Sequence, residues 1–125
     1  MLDSIFIYAG SIVIMVWGIA HIIPTKSVVA GFGKLSSDNA KIITMEWIAE
    51  GLTLVFIGAL TLAITILVGI GQPGALVVYR SCALMLLVMA VLTLFTGART
   101  KIIPIKICPW VKAIVAVLFI VGSIA

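Results

Sequence analysis

The chain has 125 residues, of which 64% are hydrophobic and 10% charged, and its formal net charge is +4. Its mean hydropathy is +1.41, whereas soluble domains are only about 45–50% apolar. A soluble domain of this size could not bury so much apolar surface. The composition therefore predicts an integral membrane protein and leaves no room within these residues for a soluble domain.

Four apolar segments predict four transmembrane helices, because each approaches the roughly 20 residues that cross a bilayer. Pro24 ends the first segment, residues 36–39 offer N-caps for the second, and residues 71–74 are typical of a tight turn. Pro109 fits the first turn of the fourth. The predicted helices cover about residues 4–23, 41–70, 75–98 and 109–125. We expect a single all-α domain over residues 1–125, an antiparallel four-helix transmembrane bundle running up-down-up-down.

Basic residues are concentrated at one end of this predicted bundle. They are Lys26, Lys34, Lys41, Arg99, Lys101, Lys106 and Lys112. The opposite end has only Arg80. The positive-inside rule therefore predicts that loops 24–40 and 99–108 are cytoplasmic and both termini outside, in the cell (inner) membrane. We expect the basic loops to meet anionic lipid headgroups. Nothing indicates nucleic-acid binding, since no aromatic residues are interleaved with the basic ones.

The strongest functional signal is a pair of carboxylates, Glu46 and Glu50, at the start of the second helix. They lie one turn apart on one face of the helix. An acidic residue at the centre of a membrane helix raises the free energy of insertion by roughly 2.5–3.5 kcal/mol. His21 ends the first helix at the same side, Lys112 lies at similar depth, and Thr61 continues the Glu50 face. With Arg80, these residues are the candidate ligand-binding residues. No catalytic group and no particular cofactor is indicated.

Three interpretations of this group stay open. His21, Glu46 and Glu50 could ligate zinc or iron. A carboxylate could instead bind a polar or cationic ligand or cycle a proton. In the structural interpretation, Glu46 reaches the interface or pairs with Lys41 or Lys112, and Glu50 bonds across helices to His21 or a tryptophan.

Two other features extend the predictions. Arg80 lies about 15 Å or more from Glu50 by helix rise, so we expect it to reach the outer headgroups or to contact an anion or a quinone. Gly51 and Gly58 stand seven residues apart and would let another helix approach closely. We predict a dimer contact through these glycines, and a homo-oligomer or a partner membrane protein is expected.

Several short motifs resemble the DoxX-like family of small four-helix bacterial membrane proteins. Gly18-Ile19-Ala20-His21 before Pro24 resembles the end of that family's first helix, and Glu50-Gly51-Leu52-Thr53-Leu54 resembles its second-helix signature. Arg80 resembles the arginine that opens the third helix, and Ile103-Pro104-Ile105 the segment before the fourth. The resemblance implies an antiparallel four-helix bundle, with roles in thiosulfate:quinone oxidation, thiol-stress systems or chaperoning of membrane proteins. By position, His21, Glu50 and Arg80 match residues of that family's motifs.

Three functions follow as hypotheses. The first is a small binding or accessory protein of DoxX-like type, whose inner-side pocket, lined by His21, Glu46 and Glu50, takes a small polar or cationic ligand, a lipid headgroup or a quinone. The second is a small proton-coupled transporter working as an oligomer. The third is a membrane subunit of a quinone-linked redox system, which would need a bound cofactor or a partner chain. The residues favour a non-enzymatic role.

Overall fold

The computed structural model describes all residues from 1 to 125 and contains helices but no strand. The helices are α1 (Leu2–Ile22), α2 (Thr25–Ala30), α3 (Ser37–Leu67), α4 (Pro73–Phe95) and α5 (Ile103–Ile124), with a 3₁₀ turn at Gly97–Arg99. The long helices α1, α3, α4 and α5 are each long and apolar enough to cross a membrane. The predicted all-α four-helix architecture is confirmed, and the chain has the build of a multi-pass membrane protein.

Some helix boundaries differ from the predicted ones for local reasons. α3 begins at Ser37 because the Ser36 hydroxyl accepts a hydrogen bond from the Asn39 backbone N–H at 3.1 Å, which caps the helix. It ends at Leu67, just before Gly69 at φ +99°. α5 begins at Ile103, well before residue 109, because Pro104 occupies its first turn and Pro109 is accommodated inside the helix. The short helix α2, which the sequence analysis did not predict, lies in the first loop.

The helices pack as an antiparallel bundle in which α1 lies between α3 and α5, and α4 packs on α5. The contact between α3 and α4 is the least extensive of these helix contacts. We call the end with residues 23–36 and 96–102 the loop end, and the end with both termini and residues 68–72 the termini end. Each end therefore collects residues from all four long helices.

Glycines set the close approach of α1 to α3. A Cβ added at Gly18 would lie 2.7 Å from the Gly51 carbonyl oxygen and 2.8 Å from the Val55 backbone nitrogen. A Cβ at Gly58 would lie 2.5 Å from the Ser11 carbonyl oxygen. Gly51 and Gly58 thus face α1 of the same chain. The predicted dimer contact through these two glycines is wrong, because the chain itself fills that surface.

Hydroxyl groups are paired inside the bundle, within a mainly hydrophobic core. The buried Ser11 and Thr61 hydroxyls share a hydrogen bond of 2.7 Å between α1 and α3, while Thr65 and Tyr79 share another of 2.7 Å between α3 and α4. Large apolar side chains such as Phe56, by contrast, are exposed on the outside. Paired hydroxyls inside and large apolar side chains outside fit a bundle surrounded by lipid, where polar groups must find partners inside.

A buried polar cluster as the candidate functional site

One polar side chain from each of the four long helices converges near the loop end. These are His21 in the last turn of α1, Glu50 on α3, Thr93 near the end of α4 and Lys112 on α5. We call these four residues the polar cluster. The antiparallel topology creates it, because residues at similar distances from a connecting loop come to lie side by side.

Lys112 is the centre of the polar cluster and has no exposed surface. Its ammonium donates hydrogen bonds to Glu50 Oε1 and, at 3.0 Å, to the Thr93 hydroxyl oxygen. A buried ammonium is tolerated only when it is paired with an opposite charge and hydrogen-bonded. Lys112 therefore neutralises Glu50 and links α5 to both α3 and α4, two helices whose direct contact is small.

His21 lies on the other side of Glu50. Its Nε2 is 3.6 Å from Glu50 Oε2, slightly beyond hydrogen-bond distance, and Nε2 is buried without a hydrogen-bond partner. The imidazole stacks on the Trp47 indole with ring centroids 4.0 Å apart and planes inclined by 15°. The indole N–H of Trp47 donates to the His21 carbonyl oxygen at 2.7 Å. Trp47 therefore holds the imidazole in place beside the carboxylate.

Glu50 is the accessible member of the charged group. Its side chain is 31% exposed, while those of Lys112 and His21 are 0% and 9% exposed. Two surface pockets lie elsewhere: one of about 460 Å³ at the termini end, between Met1 and Ala125, and one of about 440 Å³ along residues 37–45. Neither of these two pockets includes a residue of the polar cluster, and Glu50 is its open face.

The remaining candidate residues do not join the polar cluster. Glu46 is exposed and makes no ion pair within 4.0 Å, in contrast to Glu50. Thr61 is buried in the α1–α3 contact, where Ser11 and the carbonyl oxygens of α3 satisfy its hydroxyl. The structure therefore brings together His21, Glu50 and Lys112 and leaves Glu46 and Thr61 outside.

Arg80 lies at the termini end, far from the polar cluster. Its Nε donates to the Ser123 hydroxyl at 3.4 Å and its Nη2 to the Ser123 carbonyl oxygen at 3.3 Å. The last carbonyls of a helix lack intrahelical partners and carry partial negative charge. Arg80 thus caps the last turn of α5 while the side chain stays exposed.

The metal set predicted from the sequence is not formed. The structure holds no group of three or more His, Cys, Asp or Glu side chains placed to bind a metal ion. Glu46 is exposed and makes no ion pair, and the Lys112 ammonium is hydrogen-bonded to one oxygen of Glu50. The donor set around Glu50 is therefore that of an ion pair.

Sequence reasoning missed Thr93 and the stacking role of Trp47. Thr93 and Lys112 lie almost equally far in sequence from Ile102, the residue that precedes α5, so an antiparallel register centred on that loop would have paired them. A second missed contact joins α1 to α5, where the Trp17 indole N–H donates to Cys108 Sγ at 3.3 Å. No comparable sequence signal points to that contact.

Comparison with models of protein families, with curated proteins and with solved structures gave no match. Fold and site together define the class: an all-α, multi-pass membrane protein with a charged and hydrogen-bonded group enclosed by its four long helices.

Proposed function

We propose that the chain is a small membrane binding or accessory protein that receives a small polar group at Glu50. This proposal rests on one observation about the Glu50 carboxylate. One of its oxygens is paired with Lys112 inside the bundle, while the side chain remains partly exposed. Carboxylates within membrane-spanning helices are functional sites by default, because burying them is costly. An exposed face on such a group offers a ligand an acceptor for hydrogen bonds.

The charge balance indicates which ligand chemistry fits. Lys112 already neutralises Glu50, so a cationic ligand would compete with an ammonium that is tethered and completely buried. A quinone carbonyl accepts hydrogen bonds, as the carboxylate does, and so finds no donor on Glu50. The arrangement favours a neutral donor such as a hydroxyl group of a lipid headgroup at the loop end.

Native mass spectrometry of protein extracted in mild detergent tests this proposal. We expect a bound lipid-sized mass on the wild-type protein and on Glu46→Gln, a matched control one helical turn away on the same helix. The paired variant Glu50→Gln/Lys112→Met should lose that mass, and it avoids leaving a buried charge without its partner. Bare wild-type protein, or a mass retained by the paired variant, would contradict the proposal.

We further infer that the loop end faces the cytoplasm and that the membrane is the cell (inner) membrane. The exposed basic residues at that end are Lys26, Lys34, Lys41, Arg99, Lys101 and Lys106, while Arg80 lies at the other end. Lys112 no longer counts among them, because it is buried. The asymmetry that remains supports the orientation and contact of the loop end with anionic headgroups.

The DoxX-like relationship also stands as a proposal. Of the three positions that carry the resemblance, His21 and Glu50 come together in the polar cluster, which supports a shared role for them. Arg80 lies at the opposite end and acts on α5. A common site made of all three residues is therefore not part of the proposal.

A second candidate is proton-coupled transport, favoured by the placement of His21 beside a partly exposed carboxylate within a spanning helix. In proteoliposomes, this function requires solute flux that follows an imposed pH gradient. Absence of such flux across a broad panel of cations would count against it.

A further inference from the structure

We infer that His21 Nε2 and Glu50 Oε2 form a binding site for one proton, which resides on the imidazole while Lys112 keeps Glu50 ionised. The inference goes beyond the proposed function, since it requires the polar cluster but no bound ligand. Loss of ligand binding and loss of proton binding are therefore separate results, measured by mass spectrometry and by titration.

His21 Nε2 has no hydrogen-bond partner. It is the buried side-chain nitrogen or oxygen that lacks a hydrogen-bond partner in this structure, and such atoms are uncommon in folded proteins. It faces Glu50 Oε2 at 3.6 Å. In a neutral ring only the tautomer with its hydrogen on Nε2 can donate towards Oε2, whereas in an imidazolium both ring nitrogens carry hydrogens and the donor towards Oε2 is charged, which strengthens the contact.

Nε2 is buried in the bundle. It has essentially no exposed surface, and neither pocket described above reaches it. A proton, unlike a larger ligand, needs no pocket to bind there. The exposed part of Glu50 provides the route: a proton binds the carboxylate, the O–H bond breaks as the N–H bond forms, and the net charge of the polar cluster rises from 0 to +1.

Lys112 holds the other oxygen of Glu50. Its ammonium donates a hydrogen bond to Oε1, which leaves Oε2 as the acceptor that faces the imidazole. Burial and the positive charge of Lys112 disfavour the imidazolium, and the adjacent carboxylate favours it. Glu50 and Lys112 therefore act on the imidazole in opposite directions.

The surrounding helices add few other ionisable groups. On α3, Glu46 lies one turn away, exposed and without an ion pair. α4 contributes the uncharged Thr93. On α5, besides Lys112, the Cys108 thiol is engaged by Trp17, and the one charged residue of α2, Lys26, is exposed. The site is therefore governed by His21, Glu50 and Lys112.

The stacked indole of Trp47 makes proton binding measurable, because an imidazolium quenches the fluorescence of an indole in contact with it. The chain has three tryptophans and one histidine, so Trp17→Phe/Trp110→Phe leaves Trp47 as the only tryptophan reporter. We expect its fluorescence to fall reversibly through a single one-proton transition as the pH is lowered from about 8 to about 4. His21→Gln should abolish the transition.

Glu50→Gln separates this site from an ordinary buried histidine. Without the carboxylate the imidazole lies near Lys112 alone, so the transition should move to more acidic pH by about one unit or more, a tenfold loss of proton affinity. Glu46→Gln, the matched control, should leave it unchanged.

A direct measurement is NMR of the single histidine ring in the wild-type protein, which needs no substitution at the site. The ring signals should titrate over the same pH range as the Trp47 fluorescence. The inference is overturned if the ring does not titrate, if the quenching persists in His21→Gln, or if Glu50→Gln leaves the transition where it was.

Discussion

At the residue scale, Lys112 has the largest difference between its expected and its observed environment. In the sequence it is one of several basic residues near the loop end, whereas in the structure it is fully buried and bonded to Glu50 and Thr93. Lysine is almost never fully buried without a partner. The ion pair therefore explains how both charges are accommodated between the long apolar helices.

Replacing Lys112 tests the stabilising role of this pair. Lys112→Met leaves Glu50 without its counter-ion, and breaking a buried pair costs about 3–5 kcal/mol. We expect about 3 kcal/mol, the lower end, because Glu50 is 31% exposed. Reversible unfolding in mixed detergent micelles measures the change in the free energy of unfolding.

Two variants control this experiment. Lys106→Met removes an exposed charge from the same helix and should change the free energy of unfolding by less than about 0.5 kcal/mol. The paired variant Glu50→Gln/Lys112→Met should recover much of the lost stability, since no unpaired charge remains. Equal effects of Lys106→Met and Lys112→Met would rule out a special role for the buried pair.

At the element scale, the close approach of α1 to α3 depends on small residues. A side chain at Gly18 would meet backbone atoms of α3, which cannot move aside as the end of a flexible side chain can. We expect Gly18→Ala to destabilise the bundle by about 1–3 kcal/mol, the usual effect of overpacking. Thermal unfolding in detergent reports the loss as a lower midpoint temperature.

Gly74 supplies the matched control. It lies in the first turn of α4 with no atom within 4 Å of an added Cβ, so Gly74→Ala should be neutral or stabilise by about 0.4–1 kcal/mol, because alanine reduces the freedom of the unfolded chain. If Gly18→Ala were as stable as Gly74→Ala, the α1–α3 contact would not be as close as the structure shows.

The elements also show what the sequence could and could not predict. The four long apolar helices follow from apolar length alone, and the cap at Ser36 follows from its local sequence. The predicted second helix, however, ran to residue 70, past Gly69, whereas α3 ends at Leu67. The start of α5 was misplaced because a proline can begin a helix or lie within one, and Pro104 and Pro109 fill these two roles here. Likewise, Glu46 and Glu50 share a sequence pattern, but helix packing places only Glu50 against Lys112.

At the scale of the whole molecule, charge and apolar surface are separated. The sides of the bundle are apolar and exposed, which suits lipid, while the exposed basic residues cluster at the loop end. The polar cluster lies near that same end, between the helices of the bundle. A ligand or a proton reaching Glu50 from the loop end would therefore come from the compartment that those basic residues face.

Cysteine labelling determines which compartment that is. Native Cys82 and Cys108 are buried; Cys82→Ala/Cys108→Ser gives a cysteine-free background and keeps an acceptor for Trp17. We would introduce one new cysteine into this background, either Ser27→Cys at the loop end or Gln72→Cys at the termini end. Both positions are exposed and uncharged, so the substitutions preserve the distribution of basic residues that sets topology.

A membrane-impermeant maleimide should label Gln72→Cys in intact cells of the expression host, and Ser27→Cys only after permeabilisation. Labelling of both positions after permeabilisation is the control for their reactivity. Because the orientation follows from Lys and Arg near the ends of the spanning helices, the opposite pattern would place the loop end outside. It would also mean that Glu50 exchanges its proton with the exterior, so the same pair of variants fixes the side from which the polar cluster is reached.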